Sequence, residues 1–372
     1  MRIVTYLPRL ESIGGVERHV LETTRALARR GHQICLCYEE AGNLEPEFGS
    51  FCATMRSSAE LRYSAAPARD ARRILLAAYA AGRMRPDLIY TNNFSELAWA
   101  AAVRGLSEMP IVCHLHEFAP VRQVSMSVLG GRVSRFVVGS QFMREVWSEH
   151  GISPYRVDVV PEGLEPADYP RGAEPEMTER RAQLGLPDQA YVVLYLGRLI
   201  PEKGVDVLLD AWDRLALDPA QARLVIVGMP AEADGYVERL QAQAPAGCEW
   251  LPLQPDVVPL LQAADVVVLP SRWEEPFGRV VIEALATGRP AIAAAVGGIP
   301  EVLNGEFSAM LFPREDAGAL ADRLRWLRDW RRRDPELGER CAAHATRRYR
   351  LDATVSSLEE IFVSCGQGLT RT

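Results

Sequence analysis

Lysine is almost absent from this chain. Its 372 residues include one lysine, Lys203, against 41 arginines. The glycine signatures that cradle phosphates on a first βα turn, GxxxxGK[ST] and GxGxxG, are also missing, which argues against a P-loop nucleotidase and a dinucleotide-dependent dehydrogenase. No D-x-D pair occurs that could clamp a divalent cation. The seven cysteines form no C-x-x-C pair and no zinc-like spacing. Several stand in apolar runs such as ICLCY and IVCHL, so they read as buried free thiols of a reducing cytoplasm. No apolar run approaches the ~20 residues that span a bilayer, and MRIVTYL starts as a strand without a leader pattern. A soluble cytoplasmic protein is expected, with peripheral contact left as the only form of membrane association. A net charge of -7 excludes nucleic acid as a partner. That excess lies in the second half, because residues 1–175 balance 20 arginines against 20 acidic residues. The Arg-rich first half could still touch an anionic surface.

What is present is alternation. Short β-rich runs at 2–7, 33–38, 87–92, 110–116, 135–140 and 157–163 are separated by helical stretches from Glu17 to Arg30, Ala68 to Arg83, Ser95 to Leu106 and Gln141 to Glu149. Gly31 follows the first of these as a C-cap. A polar interval with Pro161, Pro166, Pro170, Pro175 and Pro187 marks a linker at its start. Strand-like runs resume at 191–197, 222–228, 248–253, 265–271 and 290–295, followed by a long Arg-rich helix from Asp316 to Arg333 and a last one near Ala353 to Val363. The pattern predicts an α/β chain with a Rossmann-like domain over 1–165, a second over 166–350, and a C-terminal helix over 351–372 that can pack back on the first. Two consecutive doubly wound domains imply a cleft between them, with ligands at the C-terminal ends of the strands.

Two constellations carry chemistry. In the first, the strand YVVLYLG ends at Gly197, Arg198 follows, and LIPEKG leads into a helix with Val205, Leu208, Leu209 and Trp212 on one face. Lys203 therefore stands at a helix start, five residues after Arg198, where free N–H groups and the helix dipole favour an anion. Two cations at such a place suit a polyphosphate, and a compact ammonium reaches a phosphate differently from a planar guanidinium. The bland alternative is a solvated loop in an Arg-biased chain. In the second, SRWEEPFGRVVIEALATGRPAI places Glu275 on a loop and Glu283, eight residues on, in the second turn of a helix. The amides of Gly278, Arg279 and Val280 are left at the helix N-terminus. Carboxylates so placed suit hydroxyl donors such as sugars and ribose; a helix cap plus one satisfied buried Glu is the structural alternative.

GRLIPEKG, EEPFGRVVIEALATGRPAI and GGIPEVL, with GGVERHV and VPEGLE, resemble the retaining GT-B glycosyltransferases of family 4, which include sucrose-phosphate synthases and many polysaccharide mannosyl- and glucosyltransferases. The resemblance runs over nearly the whole chain and is strongest between 190 and 305. It implies the GT-B fold, two Rossmann-like domains with a cleft between them. It implies that Arg198 and Lys203 bind a donor diphosphate, that Glu275 binds the transferred sugar and Glu283 the nucleotide ribose. The amides from Phe277 through Gly278 and Arg279 to Val280 would hold sugar hydroxyls and phosphate, and Gly14 and Gly15 would close on the phosphate side. A histidine near the donor sugar is implied by CHLHEF, where His116, followed by Glu117 in place of the family's usual Asp, fits by position; His114 lies on the same side of the strand.

The resemblance thus implies a retaining transfer of a hexosyl unit from a UDP- or GDP-sugar to a saccharide, lipid-linked or small-molecule hydroxyl. His116, Glu275, Arg198 and Lys203 would form the catalytic set. With no D-x-D, no metal or other cofactor is expected, and the two cations take a metal's place at the leaving diphosphate. A sugar-nucleotide epimerase or a phosphorylase fits PEKG with E-x7-E less well. A catalytically silent GT-B protein that only binds nucleotide sugar is the alternative of another class. The acceptor is expected on the N-terminal domain, between the loops around Arg62 to Arg69 and Pro120 to Val128.

Overall fold

Runs such as YVVLYL, apolar at consecutive positions, are what a strand covered on both faces requires, and the short strands of this chain assemble into parallel sheets accordingly. The computed structural model describes residues 1–11, 14–58, 67–105, 109–118, 126, 128–229 and 235–368. Among them, thirteen strands form two all-parallel sheets.

The first unit comprises Met1–Gly163 and Leu351–Thr372. Its strands are β1 (Arg2–Arg9), β2 (Gln33–Glu40), β3 (Thr54–Ser57), β4 (Leu88–Thr91), β5 (Ile111–Leu115), β6 (Arg135–Val138) and β7 (Val157–Val159). They lie in the order β3-β2-β1-β4-β5-β6-β7, so the strand order reverses between β1 and β4, the place where open α/β sheets take ligands. The helix α1 (Gly15–Arg29) follows β1, and Gly31, at φ +92°, stands just past its end. The final helix, Leu351–Gly368, packs on this unit. Arg30 donates to Ser356 Oγ and Glu359 Oε2 (both 3.0 Å), His32 Nε2 lies 2.7 Å from Glu359 Oε1, and Phe362 meets Tyr90 edge-on at 5.3 Å.

The second unit is Leu164–Arg350. Its strands are β8 (Tyr191–Leu196), β9 (Ala222–Val227), β10 (Cys248–Leu251), β11 (Val266–Leu269), β12 (Ala291–Ala294) and β13 (Leu311–Phe312), in the order β10-β9-β8-β11-β12-β13. The reversal here falls between β8 and β11. All six residues of β8 are buried, and the core is built largely from β8, β9, β11, β12 and the helices Val205–Asp213 and Arg279–Ala286.

Three expectations change. The proline-rich interval contains a helix, Glu174–Gln183, with Pro175 in its first turn, where a missing N–H costs nothing. The long helix expected from Asp316 to Arg333 is two pieces, Ala317–Leu327 and Trp330–Arg333. Trp330 Nε1 donates to the Asp265 carbonyl (3.1 Å) and Arg331 Nε to the Asp265 carboxylate (2.9 Å), which ties the second piece to the start of β11. Between Glu149 and the end of the chain, the sequence reading also missed the helix Leu337–Arg348. All seven cysteines are free, and none of the described helices is long and apolar enough to cross a membrane.

Candidate functional site

In the second unit, the loops that leave β8 and β11 flank the strand reversal. Arg198 is the second residue of the first loop, after Gly197. Pro201–Lys203 forms a single 3-10 turn, and Gly204 starts the helix Val205–Asp213. Lys203 thus stands just before that helix. Gly204 has φ +66°, and a Cβ there would lie 2.1 Å from the Pro270 carbonyl oxygen; only glycine lets the two loops approach this closely. The approach is locked by the Arg272 N–H, which donates to the Glu202 carbonyl (2.8 Å), and by Arg272 Nη1 on Asp206 (2.7 Å).

The crossing brings Lys203 to Glu275. Lys203 Nζ donates to Glu275 Oε1 at 2.6 Å, and Ser271 Oγ donates to the same oxygen. Both charged side chains are largely enclosed, at 13% and 7% exposure. Gly297, at φ +55°, packs its backbone against Glu275, whose carbonyl oxygen would be 2.1 Å from a Cβ. Glu274 turns elsewhere, accepting from the Gly297 N–H (2.5 Å) and pairing with Arg314. Of the adjacent acids, then, Glu275 alone meets the lysine.

Trp273 is the residue that sequence reasoning missed in this loop. Its ring lies 5.1 Å from Lys203 Nζ and 5.9 Å from the Arg198 guanidinium. Trp273 Nε1 is buried with no hydrogen-bond partner among the described residues. Arg198 is exposed and forms no ion pair among the described residues. One cation is thus neutralised by Glu275 and the other is available, with an aromatic face beside both.

The helix Arg279–Ala286 starts at Gly278. Phe277 is buried in the core and meets Tyr349 at 5.6 Å, so only its backbone can serve a ligand; Val280 is half-buried. Glu283 Oε1 accepts from Arg279 Nε (2.9 Å) and from Tyr169 OH (3.0 Å), and Arg279 Nη2 reaches Tyr169 OH at 3.4 Å. The Arg279 side chain therefore orients Glu283. Tyr169 sits in a proline-rich stretch with no local motif to mark it.

In the first unit, Gly14 and Gly15 are exposed at the N-terminus of α1, Gly14 in extended conformation without a side-chain cap. Burial raises the pKa of nearby Glu17, whose carboxylate also takes the Gly14 N–H. His114 is fully buried on β5, with Nδ1 2.8 Å from Tyr90 OH. His116 stands one residue past the strand end, 7% exposed, with Nδ1 3.7 Å from Glu162 Oε1. Both are buried, and the His116 side chain is only 3% exposed. Burial and the neighbouring His116 and His19 rings lower the His114 pKa. Glu117 accepts from Asn93 Nδ2 at 3.4 Å. The loops expected to meet an acceptor, Arg62 to Arg69 and Pro120 to Val128, lie mainly outside the described residues.

The family model for "Glycosyl transferases group 1" matches residues 176–348, and that for "Glycosyltransferase Family 4" matches residues 13–168. The chain is 27% identical to D-inositol 3-phosphate glycosyltransferase of Mycobacterium tuberculosis over 85% of its own length and 72% of that protein. Among solved structures, HepE of Anabaena in complex with UDP-glucose is similar at a TM-score of 0.84, with 22% identity, covering 98% of this chain and 100% of that one. Sucrose-phosphate synthase from Thermosynechococcus elongatus is similar at 0.80, with 22% identity and 98% of each chain covered.

Proposed function

Because the chain belongs to the group 1 glycosyltransferases and has their GT-B fold of two Rossmann-like domains, we propose that it transfers a hexosyl unit, with retention and without a metal at the diphosphate. The donor is a UDP- or GDP-sugar and the acceptor a hydroxyl of a saccharide or small molecule. The observation that carries this reading is the Lys203–Glu275 pair at the strand reversal, with Arg198 exposed beside it and without an ion pair among the described residues. HepE, bound to UDP-glucose, supports a nucleotide-sugar donor. D-inositol 3-phosphate glycosyltransferase supports a phosphorylated cyclitol as one acceptor class to try first.

In this reading the donor diphosphate takes Lys203 from Glu275. Arg198 and Lys203 then neutralise the charge that grows on the leaving phosphate as the bond from sugar C1 to phosphate oxygen breaks. Fixed cations aimed at developing charge lower a barrier by roughly 3 kcal/mol or more per contact. Glu275, released, accepts hydroxyls of the sugar, while Glu283, held by Arg279 and Tyr169, accepts from the ribose. Amides around Gly278, Arg279 and Val280 receive sugar hydroxyls and phosphate, and Gly14 and Gly15 close on the phosphate. His116 hydrogen-bonds the sugar. The acceptor oxygen attacks C1 from the face the phosphate leaves, and its proton goes to the departing phosphate oxygen.

Slow hydrolysis of UDP- and GDP-hexoses without acceptor, read as release of nucleoside diphosphate, tests the reading. Tight binding of these donors without any turnover would leave a nucleotide-sugar-binding protein instead.

A further inference from the structure

Three histidines of the first unit converge from two elements. His114 on β5 and His116 just past its end, two residues apart, stack their rings on the same side, and His19 comes from α1. One ring nitrogen from each lies within 4.8 Å of the others, and all three residues are buried. The His114 and His116 rings stack at 3.9 Å, and His19 meets them at 5.0 and 4.8 Å. Among the described residues, Nε2 of His114 and Nε2 of His116 are buried without a hydrogen-bond partner. Such atoms are costly unless something fills the coordination they offer.

The opposite edges of the rings are occupied. Tyr90 OH is 2.8 Å from His114 Nδ1, Glu162 Oε1 is 3.7 Å from His116 Nδ1, and Thr23 Oγ1 is 3.4 Å from His19 Nε2. Metal-bound histidines characteristically have an oxygen at the other ring nitrogen, which fixes the tautomer and leaves the lone pair facing the ion. We propose that His19, His114 and His116 form a binding site for a zinc-type transition-metal ion. Three neutral imidazoles select Zn²⁺, Co²⁺ or Ni²⁺ over Mg²⁺ and Mn²⁺ and leave a fourth position for water or a substrate oxygen. Zn–N bonds of about 2.0–2.1 Å require the three nitrogens to draw together and the His114 and His116 rings, stacked with planes 27° apart, to turn until their lone pairs converge.

The consequence for turnover rests on the role given to His116 above. An ion at this site holds the His116 ring and withdraws it from the donor sugar, so zinc inhibits. This is distinct from a catalytic metal at the diphosphate, and chelation is expected to preserve or raise activity.

The site is tested without turnover. The EDTA-treated full chain is titrated with Zn²⁺ by calorimetry, and with Co²⁺ by the visible absorption of its tetrahedral complexes. One ion per chain is expected, with affinity falling about 100-fold or more in His19→Ala, since even the loss of a ligand's supporting partner costs about 10–100-fold. Absence of saturable binding to the wild type, or equal binding to a folded His19→Ala, overturns the site; circular dichroism establishes that the variant is folded. Donor hydrolysis is then measured across Zn²⁺ concentrations. Inhibition that moves to higher Zn²⁺ in His19→Ala supports the second half. Zinc binding without inhibition overturns that half and leaves the ion site standing.

Discussion

Lys203 and Glu275, 72 residues apart in sequence, meet at 2.6 Å across the two loops that leave β8 and β11. The pair joins a group assigned to the phosphate with a group assigned to the sugar, so donor binding is an exchange of partners. A largely enclosed ion pair of this kind adds little net stability while it holds, which suits a contact that must open once per turnover.

Lys203→Ala should therefore lower donor turnover by about 100-fold or more, the cost of one contact to a developing oxyanion. Lys203→Arg keeps the charge but substitutes a planar fork in a slot bounded by Trp273 and Glu275, so a substantial loss is expected there too. Initial rates of nucleoside diphosphate release measure both. A fully active arginine variant would show that charge alone is required.

Glu275→Gln should separate binding from chemistry. Without the carboxylate, Lys203 is no longer shared, and UDP or GDP should bind more tightly by calorimetry, while donor turnover falls. Weaker nucleotide binding in this variant would argue against the exchange.

Tyr169→Phe removes one hydrogen bond to Glu283 and the long contact from Arg279 Nη2, while the Arg279 Nε bond to Glu283 remains. Loss of a single hydrogen bond of about 0.5–1.5 kcal/mol corresponds to a donor KM raised about 2- to 10-fold with kcat little changed. A fall in kcat at constant KM would place Glu283 nearer the reacting bond than the ribose.

Glu96 supplies a pH signature in the first unit. Buried at the start of the helix Leu97–Arg104, it accepts the Asn92 N–H at 2.8 Å, and burial raises its pKa to about 8. The folded chain then holds a proton that the unfolded chain releases near its ordinary value of 4.5. This contribution to stability is full below about pH 4.5 and is lost as pH rises toward about 8. Glu96→Gln should flatten that slope, gaining melting temperature relative to wild type more at pH 8.5 than at pH 5.5. An equal offset at both pH values would contradict a proton held at Glu96.

Much of this was legible in the sequence. The consecutive apolar residues of β8 and β11 announce strands covered on both faces, and the positions of Arg198, Lys203, Glu275 and Glu283 follow from strand ends and helix starts. Long-range pairing was not legible. Nothing local links Lys203 to Glu275, marks Trp273 as the ring beside both cations, or singles out Tyr169 as the partner of Glu283. His19 reads as one polar position on an amphipathic helix until β5 is folded against it. The four residues of β3 and the two of β13 are too short for periodicity to register, and the piece after Leu327 is held by Asp265, a residue just before the distant strand β11.

The central claim is that Arg198 and Lys203 neutralise a departing nucleoside diphosphate. Single-turnover release of UDP or GDP from saturating nucleotide hexose tests it most directly, in EDTA-treated wild type and Lys203→Ala. The account predicts release by the wild type without added metal and a loss of about 100-fold or more in the variant. Wild-type release by Lys203→Ala, or release that requires Mg²⁺ or Mn²⁺, would contradict it.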